Sequence, residues 1–317
     1  MKKILVTSGA GFLGSHLCEK LIKQGHRVVC MDNFSTGKAA NIKELRKNEK
    51  FSLLEWNIID PFQLWVDEIY NLACPASPIQ YQKNPIDTVK TTVLGVMNLL
   101  ELARKQNIKI LQASTSEIYG DPLEHPQTEE YYGNVNVTGI RSCYDEGKRC
   151  AETLFYDYHR YYHLNIKIVR IFNTYGPNMS KYDGRVVSNF IVQSLKDKSI
   201  TIYGKGTQTR SFCYVDDTID GLIKMMNSKD EITGPINIGN PKETSIKDLA
   251  KKIIKKTHSN CLIRNNELPK DDPVRRKPSI ELAKKHLNWE PKIDLNKGLD
   301  KTIKYFKHKL KNEKGGI

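Results

Sequence analysis

No stretch of the 317 residues is long and apolar enough to span a bilayer, which takes about 20 consecutive apolar residues. No membrane partner is expected. At Met1–Ser15 the apolar run after the lysines breaks at glycines within about five residues, so no secretory signal is expected. Cysteine is present seven times, an odd number, at 18, 30, 74, 143, 150, 213 and 261, without a Cys-x-x-Cys pair. That pattern reads as reduced thiols in a cytoplasmic compartment, with neither a metal site nor a disulfide frame. Internal repeats and low-complexity linkers are also missing. Negative charge is scarce: 36 Asp and Glu against 50 Lys and Arg leave +14. Such a balance suits nucleic acid or an anionic small substrate. Much of the excess sits on helical-looking stretches near Lys251–Lys256, Lys284–Lys285 and after Lys301, which read as solvated surface. No nucleic-acid partner is expected.

The first half alternates strand-like and helix-like patterns. Strands are expected at Lys3–Thr7, Arg27–Met31, Phe51–Trp56, Glu68–Ala73, Lys109–Ser114 and Lys167–Phe172, with helices near Leu13–Gln24, Thr88–Gln106 and Ser142–Tyr162. This alternation argues for an α/β fold, a doubly wound parallel (Rossmann) sheet. After about residue 175 elements shorten, with breaks at Gly176-Pro177, Gly204, Gly206, Gly234-Pro235, Pro269, Pro273, Pro278 and Pro291. Residues 1–175 are read as a dinucleotide-binding domain. Residues 176–317 are read as a smaller mixed C-terminal substrate lobe over the carboxyl ends of the strands, some of its segments returning to the first domain. Asn312–Ile317 is expected to fray.

Thr7-Ser8-Gly9-Ala10-Gly11-Phe12-Leu13-Gly14 lies between the first strand and first helix. Gly11 lets the backbone approach a pyrophosphate, Gly14 lets the helix pack on the sheet, and the helix N-terminus attracts the phosphates. Asp32, ending the second strand, is placed to accept from a ribose diol. Its charge would repel a 2′-phosphate, so NAD is expected rather than NADP.

Tyr144 and Lys148, at i and i+4, share a helix face. A nearby cation favours tyrosinate, so the phenol, normally near pKa ~10, could serve as a base. Ser114-Thr115-Ser116-Glu117 ends a predicted strand, where such sheets open to ligand; it offers hydroxyls and a second acid/base group. Thr115 and Ser116 could equally cap a turn.

These motifs resemble those of the extended short-chain dehydrogenase/reductases acting on nucleotide sugars, and among them the UDP-glucuronate decarboxylases (UDP-xylose synthases). The likeness runs from Lys3 to about Phe306. It is carried by Ala73–Pro78, Ser114–Pro122, Arg141–Arg149, Arg170–Pro177, Asp183–Phe190 and Arg275–Pro278. Ser116-Glu117 stands where related 4,6-dehydratases carry Asp-Glu, and related epimerases lack the glutamate. The resemblance implies NAD-dependent decarboxylation of UDP-glucuronate to UDP-xylose and CO₂ through a 4-ketone, with NAD regenerated. Tyr144, Lys148, Thr115, Ser116 and Glu117 are then catalytic, with Glu117 a candidate for protonating carbon 5.

The cofactor falls by the same likeness to Gly9, Gly11, Phe12, Leu13 and Gly14, and to Asp32, Asn33, Thr36 and Gly37. Asn57, Ile58, Leu72, Cys74, Thr91 and Ala113 follow, with Tyr144, Lys148, Thr174 and Arg185. The sugar nucleotide falls to Pro75, Lys90, Arg141, Asn173 and Val187, and to Ser188, Asn189, Tyr203, Arg210 and Arg276. No metal is implied. Family members commonly pair through two long helices, implying a homodimer. Ser8, Asn57, Cys74 and Thr92 depart from the family pattern at the cofactor. A 4,6-dehydratase, a 4-epimerase or a non-catalytic RNA-binding relative are the alternatives.

Overall fold

Parallel strands buried on both faces need near-continuous apolar runs, and the amino-terminal runs supply them. The computed structural model describes residues 1–267 and 275–314. Strands β1 (Lys3–Thr7), β2 (Arg27–Asp32), β3 (Phe51–Glu55), β4 (Glu68–Asn71), β5 (Lys109–Thr115) and β6 (Ile166–Ile171) pair in parallel. The strand Ile236–Ile238 joins beside β6, giving the order Ile236–Ile238, β6, β5, β4, β1, β2, β3. The chain reverses its winding between β1 and β4, where such sheets open a ligand crevice.

Helices cover both faces. On one, α1 (Phe12–Lys23) buries Gly14, Leu17, Cys18, Leu21 and Ile22 in a helical stripe and ends before Gly25, whose φ is +89°. On the other lie α2 (Pro78–Lys83), α3 (Pro85–Lys90), α4 (Val96–Gln106) and α5 (Ser142–Tyr162), burying Leu99, Leu100, Ala103, Ala151 and Phe155. Each buried Leu, Ile or Phe among them contributes about 1.5–3 kcal/mol through burial.

The helix expected at Thr88–Gln106 starts at Pro85, and a π turn over Thr91–Gly95 joins α3 to α4. Two glycines allow close packing there. A Cβ on Gly95 would meet Ile58 Cδ1 at 2.5 Å, and one on Gly147 of α5 would meet Thr92 Oγ1 at 2.3 Å. Gly147 therefore seats the Tyr144–Lys148 turn of α5 against the π turn.

Beyond β6, α6 (Val186–Leu195) and a three-stranded mixed sheet of Glu243–Ser245, Thr209–Ser211 and Arg275–Arg276 supply the other wall of the crevice. α7 (Val215–Met226) packs on α1, and Ile236–Ile238 completes the large sheet, so these segments return from the second half. Pro269 and Pro273 lie outside the described residues. At the end, helix Leu295–Lys314 runs through Asn312, with Lys309 donating to Tyr305 and Asn312 near His308. Fraying therefore does not begin at Asn312, and residues 315–317 lie outside the described part.

Candidate active site

A cavity of about 840 Å³ opens at the carboxyl ends of the strands. Its floor begins with the glycine loop. Ser8 has φ +53°, a left-handed conformation that costs a non-glycine residue about 1 kcal/mol. Its carbonyl accepts from Gly11 N at 3.0 Å, and a Cβ on Gly14 would come within 2.1 Å of that oxygen. α1 follows Gly11 with no side-chain cap and no acid in its first turn, so its first N–H groups would suit the phosphates of a dinucleotide.

Asp32 braces this cradle. Its Oδ2 accepts from Ala10 N at 2.9 Å and its Oδ1 from Phe34 N at 2.8 Å, while a Cβ on Gly37 would meet Oδ1 at 2.6 Å. Burial raises its carboxyl above the ordinary value. Tying the loop to the strand-end turn leaves its remaining lone pairs for a ribose. Arg185 pairs with Asp183 and lies over the Phe12 ring at 5.7 Å.

At the centre, Tyr144 of α5 faces the end of β5, with the Thr115 hydroxyl as a hydrogen-bond neighbour. Lys148 Nζ donates to Ala113 O at 2.9 Å and lies 5.9 Å from the Tyr144 ring centroid. Burial pushes Tyr144 well up and Lys148 down. Desolvation thus works against the tyrosinate that the Tyr144–Lys148 spacing favours. Tyr81 of α2 stacks on Tyr144 with centroids 4.9 Å apart, and its own hydroxyl is buried without a partner.

Glu117 is clamped by two arginines. Arg276 grips both oxygens, Nη1 on Oε1 and Nη2 on Oε2 at 2.9 Å, while Arg141 Nη2 takes Oε2 as well. Burial alone would raise this carboxyl, but Arg276 and Arg141 pull it down to about 2. It is a carboxylate at neutral pH. The sequence expectation that Glu117 takes part in protonating carbon 5 thus falls on a carboxyl that Arg276 and Arg141 hold in its ionised form.

The structure brings most candidates to one cavity. Gly11, Phe12, Leu13, Gly14, Thr36 and Gly37 line one end; Leu72, Cys74, Ala113, Thr115, Ser116 and Glu117 line the middle with Tyr144 and Lys148. Arg141, Asn173, Thr174, Arg185 and Val187 continue the lining, and Asn189, Tyr203, Arg210 and Arg276 complete it. Gly9, Asp32, Asn33, Asn57, Ile58, Pro75, Lys90, Thr91 and Ser188 do not line it. Gly9 backs onto Cys30, Asn33 accepts from Ser35 N, Asn57 from Ile59 N, and Ile58 sits under Gly95. Thr91 and Ser188 donate to Asp87 O and Arg185 O, Pro75 O faces the Cys74 thiol, and Lys90 is exposed.

Sequence reasoning missed Tyr81, Ser77 and Asp145. Ser77 and Tyr81 line the cavity, and Asp145 lies buried behind Arg141. Proline at 78 and 85, starting two short helices beside the Ala73–Pro78 motif, was the one available signal for Tyr81.

The profile described as the NAD dependent epimerase/dehydratase family matches residues 4–239. UDP-glucuronic acid decarboxylase 3 of Arabidopsis thaliana is 51% identical over 309 residues, covering 97% of this chain and 90% of the relative. UDP-glucuronic acid decarboxylase 1 of Xenopus tropicalis is 49% identical over 312 residues, covering 98% of this chain and 74% of the relative. Among solved structures, UDP-glucuronic acid 4-epimerase from Bacillus cereus, in complex with UDP-glucuronic acid and NAD, superposes with TM-score 0.88. It is 31% identical and covers 96% of this chain and 99% of its own.

Proposed function

Because the chain belongs to the NAD dependent epimerase/dehydratase family, among its UDP-glucuronic acid decarboxylases, we infer that it converts UDP-glucuronate to UDP-xylose and CO₂. It is a carboxy-lyase, and its cofactor is NAD. Held by the Ser8–Gly14 loop, the start of α1 and Asp32, NAD would supply reversible hydride exchange at carbon 4, so no net oxidation occurs.

Tyr144 takes the proton of the 4-hydroxyl and later gives it back, with the Thr115 hydroxyl beside it and Lys148 fixed by Ala113 O. The resulting ketone is β to the carboxylate, so CO₂ leaves with its electrons delocalised into an enolate, and carbon 5 then takes up the one proton that the overall reaction draws from solvent. Glu117 keeps Arg141 and Arg276 occupied. This matters because a guanidinium bonded tightly to the substrate carboxylate would stabilise the ground state and oppose CO₂ loss. Tyr81 and Ser77 also line the cavity, with their hydroxyl oxygens buried and without a partner. Ser116 borders the sugar, and Asn173, Asn189 and Arg210 extend toward the UDP end.

The observation that carries this reading is the convergence of Tyr144, Lys148 and Thr115 with the Glu117–Arg141–Arg276 cluster in one cavity. Incubation with NAD and UDP-glucuronate, followed by mass analysis of the nucleotide product, tests it. A pentose nucleotide with CO₂ is expected; an isomeric hexuronate nucleotide or a dehydrated sugar without CO₂ would overturn it.

The quaternary arrangement proposed is a homodimer through α3, the π turn, α4 and α5. This side exposes Ile86, Val89, Leu94 and Met97, apolar side chains that gain from being covered. Seven free thiols suit a cytoplasmic setting.

A further inference from the structure

One buried carboxyl beside the site has no part in the chemistry above. Asp145 follows Tyr144 on α5 and is 5% exposed. Its Oδ1 has no hydrogen-bond partner, and its Oδ2 lies 4.0 Å from Arg141 Nε. Arg141 also bonds Glu117 through Nη2, so one guanidinium lies between two carboxyls, with Arg276 gripping Glu117 as well. As ions, Asp145, Arg141, Glu117 and Arg276 balance two against two. A hexuronate carboxylate entering beside them adds a third negative charge in a poorly solvated corner, where like charges disfavour one another. Protonation of the least well-bonded carboxyl restores the balance. Glu117 accepts three guanidinium hydrogen bonds, whereas Asp145 has Arg141 4.0 Å away and no hydrogen bond at Oδ1.

We propose that Asp145 is a positioning residue that takes a proton from solvent as the sugar acid binds and yields it as carbon 5 is protonated. Arg141 and Arg276 thereby stay on Glu117 instead of turning to the substrate. This rests on the decarboxylase reading. The balance closes: the overall reaction, R–COO⁻ + H⁺ → R–H + CO₂, consumes one proton, matching in number the one taken up, and Asp145 ends ionised again. The groups facing Asp145 are Arg141, Cys143 and Glu146 on or next to its own turn, Tyr81 from α2, Glu117 from the turn after β5, and Arg276. Burial first, then Glu117, raise its carboxyl to about 7 against Arg141 and Arg276, so it is ready to protonate on a small further push.

Calorimetric titration of the NADH-loaded protein near pH ~8, in two buffers of different protonation enthalpy, counts the protons without turnover. UDP-glucuronate should take up roughly half a proton or more per site, and UDP-xylose, which lacks the carboxylate, close to none. In Asp145→Asn the UDP-glucuronate uptake should fall to the UDP-xylose level. The KM of the wild type should rise with pH above neutrality, by up to about tenfold per unit, while that of D145N stays flat. Equal uptake for the two sugars in the wild type, or undiminished uptake in D145N, overturns the proposal. Failure of the wild type to release CO₂ would instead overturn the reading of the reaction, so the two failures are distinguishable.

Discussion

Tyr81 lies flat on Tyr144, ring planes 5° from parallel and centroids 4.9 Å apart. The stack removes rotational freedom from the phenol that must meet the sugar 4-hydroxyl. Tyr81→Phe keeps the ring and should retain most turnover. Tyr81→Ala should lose about tenfold or more in kcat, because misorientation by a fraction of an ångström is costly in proton transfer. Steady-state kinetics of the two variants, with circular dichroism to verify folding, check this.

Ser8 is strained where the loop passes under α1. Ser8→Gly should raise the unfolding free energy by about 0.5–1 kcal/mol, measured by denaturant titration, with NAD affinity retained. Gly14→Ala should do the reverse, since its Cβ would sit 2.1 Å from the Ser8 carbonyl oxygen. Displacing α1 there should weaken NAD binding, read by fluorescence titration with NADH.

The Glu117 cluster sets a pH dependence with a definite sign. Its carboxyl is depressed in the fold to about 2 from 4.5, so its stabilisation is present above about 4.5 and is lost as pH falls toward 2. Glu117→Gln should remove this acid-dependent loss. It should also destabilise the protein at neutral pH by about 3 kcal/mol, because Arg141 and Arg276 are left buried without their carboxylate. Asp145 has the opposite sign: raised to about 7 from 3.8, it costs stability as pH climbs through that interval. Chemical denaturation from pH ~2 to ~8, comparing the wild type with E117Q and D145N, reads both slopes.

The exposed apolar side of α3 and α4 carries the dimer proposal. Replacing Leu94 or Met97, 48% and 40% exposed, with Glu should halve the mass measured by light scattering while leaving the monomer folded. A dimeric mass unchanged in both variants would place the interface elsewhere.

The parallel sheet was legible because strands covered on both faces leave continuous apolar runs, and six lie within one or two residues of the expected bounds. Ile236–Ile238 was not, since three residues between a proline and a glycine carry no periodicity. The π turn at Thr91–Gly95 escapes for a related reason: one widened turn barely alters the 3.6-residue pattern, and only its contacts with Ile58 and Gly147 reveal it. Tyr144, Lys148 and the glycine loop were legible because their chemistry depends on local spacing. Tyr81, Asp145 and the state of Glu117 were not, because each is defined by a partner distant in sequence: Tyr144 for the first, Glu117 and Arg276 for the second, and Arg141 and Arg276 for the third. Asp32 shows the same limit, since its place was foreseen but its two bonds to the loop and turn were not.

The most direct test follows carboxyl-labelled UDP-glucuronate through wild type and Tyr144→Phe, with NADH binding measured in both. Labelled CO₂ should be released by the wild type and fall by about a thousandfold or more in Y144F, while the cofactor still binds. Undiminished release from Y144F would contradict the assignment of Tyr144 as the group that takes the 4-hydroxyl proton.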